Sequence, residues 1–147
     1  MPDATSENVQ ADRGEARRRL TQARKHLDSA RAAVDNESAY ILLYSAVHKA
    51  LSAALLAIGR RVGAGERAHL ILIREAKNLL GQDHAQLFTR VDRARRKRNN
   101  VAYETTEVTA MELQSMQTDT AATLDVVEVF IEAQGGEPAA AAPEEQA

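Results

Sequence analysis

The sequence predicts an all-α fold, an antiparallel helical bundle of about five helices, and three observations carry that reading. Apolar residues recur every three or four positions and nowhere alternate as in a half-buried strand. Hydrophobic residues make up 44% of the 147-residue chain while aromatics are only 3% and Trp is absent. The apolar mass is therefore Ala, Leu, Val and Ile, which suits helix packed on helix. The connections are short and marked by Gly, Asp or Asn, which favours antiparallel neighbours. The length fits one domain with its own core. The expected division is a flexible N-terminus over 1–10, a single helical domain over 11–134 and a disordered acidic, Ala/Pro-rich tail over 135–147.

The first helix begins near Ala11. Ala16, Leu20, Ala23, Leu27, Ala30 and Val34 place a narrow apolar stripe on one face. Asp35-Asn36 stops it and caps the next. The second segment, ESAYILLYSAVHKALSAALLAIG, is the most apolar. Tyr40, Tyr44, Val47, Leu51, Ala54 and Ile58 form one stripe, and Leu43, Ala46, Ala50, Ala53 and Ala57 a second. A helix apolar on two sides lies centrally. Gly59 follows the helix, Val62 returns to cover its end, and Arg60 to Gly65 reads as a loop. A third helix spans about Glu66 to Leu80, with Leu70, Ile73, Ala76, Leu79 and Leu80 toward the core. Gly81 ends it. Asp83 with Gln86 reads as a capping box for a fourth helix carrying Leu87, Phe88, Val91 and Ala94. After a break from Glu104 to Val108, Thr109 with Glu112 forms another. The last helix carries Leu113, Met116, Thr120, Leu124, Val127 and Ile131 and ends at Gly135-Gly136.

Several chemistries are excluded or disfavoured. Cys is absent, so disulfides and thiolate chemistry are too. His26, His48, His69 and His84 are scattered, with no other His or acid three or four residues on, so neither a metal nor a cofactor is expected. His48 reads as a satisfied core or interface histidine. There is no Gly-rich phosphate loop, His-Glu-x-x-His or calcium loop. No apolar run approaches about 20 residues, and the first stretch, MPDATSENVQADRGEARRR, has no apolar region. The expectation is a cytoplasmic protein with no membrane partner.

Charge is lopsided. All 19 Lys and Arg precede Glu104, and from Glu104 onward only acids occur. Either the basic part is a working surface, or the two parts are neighbours and neutralise each other. The densest basic stretch runs from Arg90 to Arg98 and continues as RNNVAYE. On a helix Arg95, Asn99 and Tyr103 share a face, with Arg98 one step round. A guanidinium fork fits phosphate, Asn holds a ribose hydroxyl or base edge, and Tyr stacks on an unpaired base. Arg95, Arg96 and Lys97 are the candidate RNA phosphate-binding residues. The blander alternative is that these arginines complement the helix dipole and Tyr103 packs.

At these residues the sequence resembles the HEPN domains, small helical bundles found in many prokaryotic toxins, defence proteins and RNases. Their signature is Arg, a polar residue, three more residues and His. Here it reads Arg98-Asn99-Asn100-Val101-Ala102-Tyr103, similar to the RNxxxY variant of actinobacterial-type members. AYILLYSAVHKALSAALLAIGRRV and AHLILIREAKNLLG follow the layout of the family's second and third helices, so the likeness covers roughly 39–131. The resemblance implies a homodimer with signature helices facing across a two-fold axis. It implies Arg98, Asn99 and Tyr103 as catalytic residues of a metal-independent endoribonuclease. In such enzymes the 2′-hydroxyl attacks the adjacent phosphate, His moves the proton and Arg stabilises the charge. Tyr103 stands in the His position. An unperturbed Tyr has a pKa near ~10 against about 6.5 for His, so the expectation is a weak or inactive RNase that binds RNA or a nucleotide, in a toxin–antitoxin or defence system. The alternative is a non-enzymatic module docking a partner protein such as a nucleotidyltransferase. A third option is a plain bundle whose basic patch pairs with its own acidic last helix.

Overall fold

The computed structural model describes residues 6–64 and 67–141. Their order is β1 (Ser6–Asn8), α1 (Arg13–Arg31), α2 (Asn36–Ala57), β2 (Arg60–Val62), α3 (Ala68–Leu80), a single 3-10 turn (Gln82–His84), α4 (Ala85–Tyr103) and α5 (Ala110–Ala141). The predicted all-α bundle of five helices is therefore present, with one small antiparallel ribbon added. Helices α1, α2 and α5 pack mutually, and the α3–α4 hairpin lies against α2.

Helix α1 starts where the Asp12 carboxylate accepts from the Glu15 N–H at 2.9 Å, satisfying one orphan donor of the first turn. Ala16, Leu20, Ala23, Leu27 and Ala30 are buried as the spacing predicts. Val34 is not, being 98% exposed. The helix ends at Arg31, so the periodicity no longer governs where Val34 points. Asp35 caps α2, accepting from Ser38 N–H at 2.7 Å, and that bond holds its carboxyl below the usual range.

Both stripes of α2 are buried, apart from Ile58 just past the helix, which is 37% exposed. Neighbours on several sides explain this, leaving only a partly exposed strip through Ile41, Ser45, Lys49 and Ser52, and each large apolar side chain so buried contributes about 1.5–3 kcal/mol. By length and composition α2 also reaches what a membrane span needs, contrary to the expectation that no segment does. However, 67% of its apolar window is buried inside the bundle, and the protein neighbours account for the apolarity.

Gly59 follows α2 with φ +81, and a Cβ there would stand 2.7 Å from Val9 O. Only glycine tolerates both. The close approach lets Val9 N–H donate to Gly59 O at 2.8 Å and aligns Ser6 with Val62, Glu7 with Arg61 and Asn8 with Arg60. Residues 6–8 and 60–62, expected as flexible tail and loop, are thus a paired ribbon. Three-residue strands are too short to show an alternation. Long-range polar contacts fix them: Arg61 with Glu7, Arg60 with Asn8 at 2.7 Å, and Ser6 Oγ with Glu75 at 3.0 Å. The first five residues lie outside the described ones.

Helix α3 buries Ala68, Ile71, Leu72, Ile73 and Ala76, while Leu79 and Leu80 pack half-buried and Leu70 is half-buried too. Its inward face thus includes Ile71 and Leu72, which the sequence pattern did not single out. The expected start at Glu66 lies outside the described residues. Gly81, at φ +93, ends the helix. The expected Asp83–Gln86 capping box does not form. Asp83 falls inside the 3-10 turn, and His84 occupies the cap position without a side-chain bond. The second expected box does form: Thr109 N–H donates to Glu112 Oε1 at 2.9 Å and Glu112 N–H to Thr109 Oγ1 at 3.1 Å. Met116, Thr120, Leu124, Val127 and Ile131 of α5 are buried. The helix continues through Gly135-Gly136 to Ala141, since a helical glycine costs about 1 kcal/mol relative to Ala and is a penalty, not a stop. The rest of the expected disordered tail lies outside the described residues.

Candidate anion-binding site

The basic run occupies α4, and the fold sorts its cations. Arg90 pairs with Asp119 of α5 at 3.0 Å. Lys97 pairs with Glu112 at 3.2 Å and donates to Glu107 O at 3.1 Å. Arg95 and Arg96 share Asp92 at 3.0 and 2.7 Å. Asp92 is held below the usual carboxylate range: burial opposes the shift, and its bonds to Arg96 and Arg95 outweigh that. Arg95, Arg96 and Lys97, the expected phosphate-binding residues, are therefore each committed to a carboxylate. Within this run, Arg93 and Arg98 make no ion pair among the described residues.

Arg98 lies where the hairpin meets α2. Its guanidinium carbon stands 6.0 Å from the centroid of the Tyr44 ring, at the outer limit of a cation–π contact. Its Nη1 donates to Asn99 Oδ1 at 3.2 Å. Its Nε is buried and has no hydrogen-bond partner. Tyr44 and His48 come from one face of α2, a turn apart, and His69 from the first turn of α3. Tyr44 Oη and His69 Nδ1 share a hydrogen bond of 3.3 Å. The two rings stack at 5.6 Å, and the His48 and His69 rings lie 4.4 Å apart.

The electrostatics follow from burial beside cations. Burial raises the Tyr44 phenol well above its ordinary value, against the pull of Arg95 and Arg98. Burial, with His69, Lys49 and Arg98 adding to it, pushes the His48 imidazole down to about 4. Burial, then Arg98 and Arg95, lowers His69 as well. Both imidazoles are therefore neutral near pH 7, chiefly because burial disfavours the charged ring, and also because a protonated ring would add a cation beside Arg98. The site holds a half-buried guanidinium, two neutral imidazoles and a neutral phenol, and among the described residues no carboxylate pairs with Arg98.

Of the expected catalytic residues, Arg98 and Asn99 are joined by a hydrogen bond. Tyr103 is 78% exposed and forms no hydrogen bond or ring contact among the described residues. Arg95, expected on the face of Asn99 and Tyr103, is turned inward to Asp92 with 19% of its side chain exposed. The sequence reading did not place Tyr44, His48 and His69 in the site. Tyr44 sits within a core stripe, and His69 meets its partners only after the hairpin closes on α2. The His48–Tyr44 spacing of four was the one available signal. Compared with known protein families, curated proteins and solved structures, the chain matches none.

Proposed function

We propose that the protein is a HEPN-like RNA- or nucleotide-binding protein, acting within a toxin–antitoxin or defence system, with Arg98 as the phosphate-binding group. The observation that carries this is the half-buried guanidinium without a carboxylate, whose Nε lacks any partner. A buried donor left unsatisfied costs about 1–3 kcal/mol. A phosphate on the accessible edge of the guanidinium would supply the missing counter-charge, and turning the planar fork outward onto it would free Nε from its unsatisfied position. Asn99, exposed beside Arg98, offers a carboxamide to a ribose hydroxyl or base edge.

The test is binding of labelled single-stranded RNA at low salt with EDTA present. The parent chain should bind. Arg98→Ala should lose most of the affinity, and Arg98→Lys should recover little, because a point charge does not replace a fork. A folded parent that binds neither RNA nor nucleotide would overturn the reading.

A second reading, residual RNA cleavage, is favoured by the placement of His69. Tyr103 forms no hydrogen bond or ring contact among the described residues, whereas His69 stacks on the Tyr44 ring that Arg98 approaches to 6.0 Å. With Nδ1–H donating to Tyr44 Oη, His69 Nε2 is a free base at neutral pH. In that role it takes the proton of the RNA 2′-hydroxyl. O2′ then bonds to the adjacent phosphorus and the P–O5′ bond breaks. The same proton passes to O5′, giving a 2′,3′-cyclic phosphate and a 5′-hydroxyl. His69→Gln should then lower cleavage by about 10²–10⁴ and leave binding intact, while Tyr103→Phe keeps cleavage. Cleavage that vanishes with Tyr103→Phe and survives His69→Gln would reverse the assignment.

A further inference from the structure

The α3–α4 hairpin carries a second cationic feature beside Arg98. A groove of about 300 Å³ runs between the two helices, floored by Ile73 and the buried ring of Phe88. Arg74 and Lys77 line it from α3, and Arg93 and Arg96 line it from α4. Asp92 is the carboxylate in its wall, and that group is already shared by Arg95 and Arg96. Arg74, Lys77 and Arg93 are exposed and make no ion pair among the described residues.

The hairpin is antiparallel, closed at Gly81 and open toward His69 and Arg98. The groove begins near the closed end, at Lys77 and Thr89, and ends near Leu70 and Arg96. Arg96 and Arg98 stand two residues apart and leave α4 on different faces, so a strand leaving the groove would turn round the open end of the hairpin to reach the Arg98 site. From Lys77 to Leu70 the helix rises about 10 Å.

We propose that this groove holds the sugar–phosphate backbone of a single nucleic-acid strand that enters the Arg98 site, so the ligand is a polynucleotide and not a mononucleotide. This rests on the Arg98 reading and extends it. Like charges set across a concavity repel one another and raise the local concentration of anions. Three of the four lining cations are arginines, whose forks match phosphate. The free volume suits one backbone and not a duplex. Beyond Arg98, Tyr103 is exposed and has no hydrogen bond or ring contact among the described residues, leaving a ring on which an unpaired base stacks. An acidic peptide would use the cations and leave that ring idle.

The test uses the full chain, with a labelled oligouridylate and uridine monophosphate as probes, each titrated over a range of salt. The parent should bind the oligouridylate far more tightly than the monophosphate. Each phosphate contact removed from a single strand lowers the slope of log K against log salt by about 0.7. Arg74→Ala/Lys77→Ala/Arg93→Ala should therefore flatten that slope by about 2 and leave monophosphate binding unchanged. These side chains are exposed, so far-ultraviolet circular dichroism should match the parent. An unchanged slope in the triple variant, with binding still lost in Arg98→Ala, would overturn the groove and leave the Arg98 reading standing. Failure of the parent to bind either probe would overturn both. Displacement of the oligouridylate by poly-glutamate as effectively as by unlabelled RNA would overturn the choice of nucleic acid.

Discussion

The seam between α1 and α5 and the groove between α3 and α4 are both rich in arginine and lysine, and the fold treats them oppositely. In the seam Arg13 and Arg17 converge on Glu132 at 2.7 Å each, and Arg24 reaches both Asp125 and Glu128. In the groove Arg74 and Lys77 of α3 and Arg93 of α4 line opposite walls with no ion pair among the described residues. A net charge of −2 says nothing of this. Among the described residues, the acids of α5 pair with α1 through Asp125, Glu128 and Glu132 and with α4 through Glu112 and Asp119, which take Lys97 and Arg90, and none of them pairs with Arg74, Lys77 or Arg93. Of the two readings of the charge asymmetry, mutual neutralisation describes the seam. The working-surface reading fits the groove.

The seam's ion pairs are exposed, and exposed pairs contribute little. Its cohesion should come from the apolar stripes beneath them. Leu124→Ala, at a fully buried position of α5, should cost about 2–5 kcal/mol in urea unfolding while leaving the salt slope of RNA binding unchanged. A loss under about 1 kcal/mol would mean that the charges hold the seam after all.

The two regions should also lose stability in different pH windows. His48 binds a proton at about 6.5 when unfolded and at about 4 when folded. The unfolded chain thus holds more protons between those values, so stability is full above 6.5 and falls as pH drops toward 4, by on the order of 3 kcal/mol. His69 acts in the same direction. In the seam, the hydrogen bond from Arg17 chiefly holds Glu132 below the usual carboxylate value. Its contribution persists until pH falls below about 4.5. Urea midpoints between pH 7 and pH 4.5 should therefore decline in the parent and much less in His48→Gln. Parallel declines in both would remove His48 as the cause.

How much was legible in the sequence follows the same divide. The helices, their buried stripes and the Thr109–Glu112 box were readable because they depend on residues three or four apart. The paired strands were not, because Ser6 and Val62 are joined by a turn at Gly59 and by contacts distant in the chain. In the site, Arg98 and Asn99 are neighbours in sequence and were found together. His69 was missed because the contact joining it to Tyr44 exists only once α3 has folded back onto α2. The phosphate-binding expectation for Arg95, Arg96 and Lys97 rested on their charge. Charge alone did not show their partners: Asp92 lies on the same helix within reach of two of them, and Glu112 approaches Lys97 from α5.

Asp92 gives a way to sharpen the comparison. Asp92→Asn removes the one carboxylate from the groove wall and releases Arg95 and Arg96. A charge at hydrogen-bonding range is worth about 1 kcal/mol in water, so RNA affinity at low salt should rise roughly five- to tenfold and the salt slope should steepen. Weaker binding would mean that Asp92 positions the arginines for the phosphate and does not compete with it.

The smallest expected effect breaks the comparison from the other side. Glu132→Gln removes the negative charge shared by Arg13 and Arg17, keeps an oxygen that can accept from them, and leaves two charge-uncompensated arginines on the seam, much as the groove has them. Those two arginines stand on one flank of α1, whereas the groove cations stand on two helices, α3 and α4, the latter also carrying Arg98 and the exposed Tyr103. RNA affinity and salt slope should therefore stay at the parent values, measured by the same titration, and the thermal midpoint should move far less than for Leu124→Ala. A rise in affinity equal to that of Asp92→Asn would show that any uncovered arginine pair suffices. The groove would then be one patch of unmatched charge among others, and its shape and its place beside Arg98 would carry no specificity.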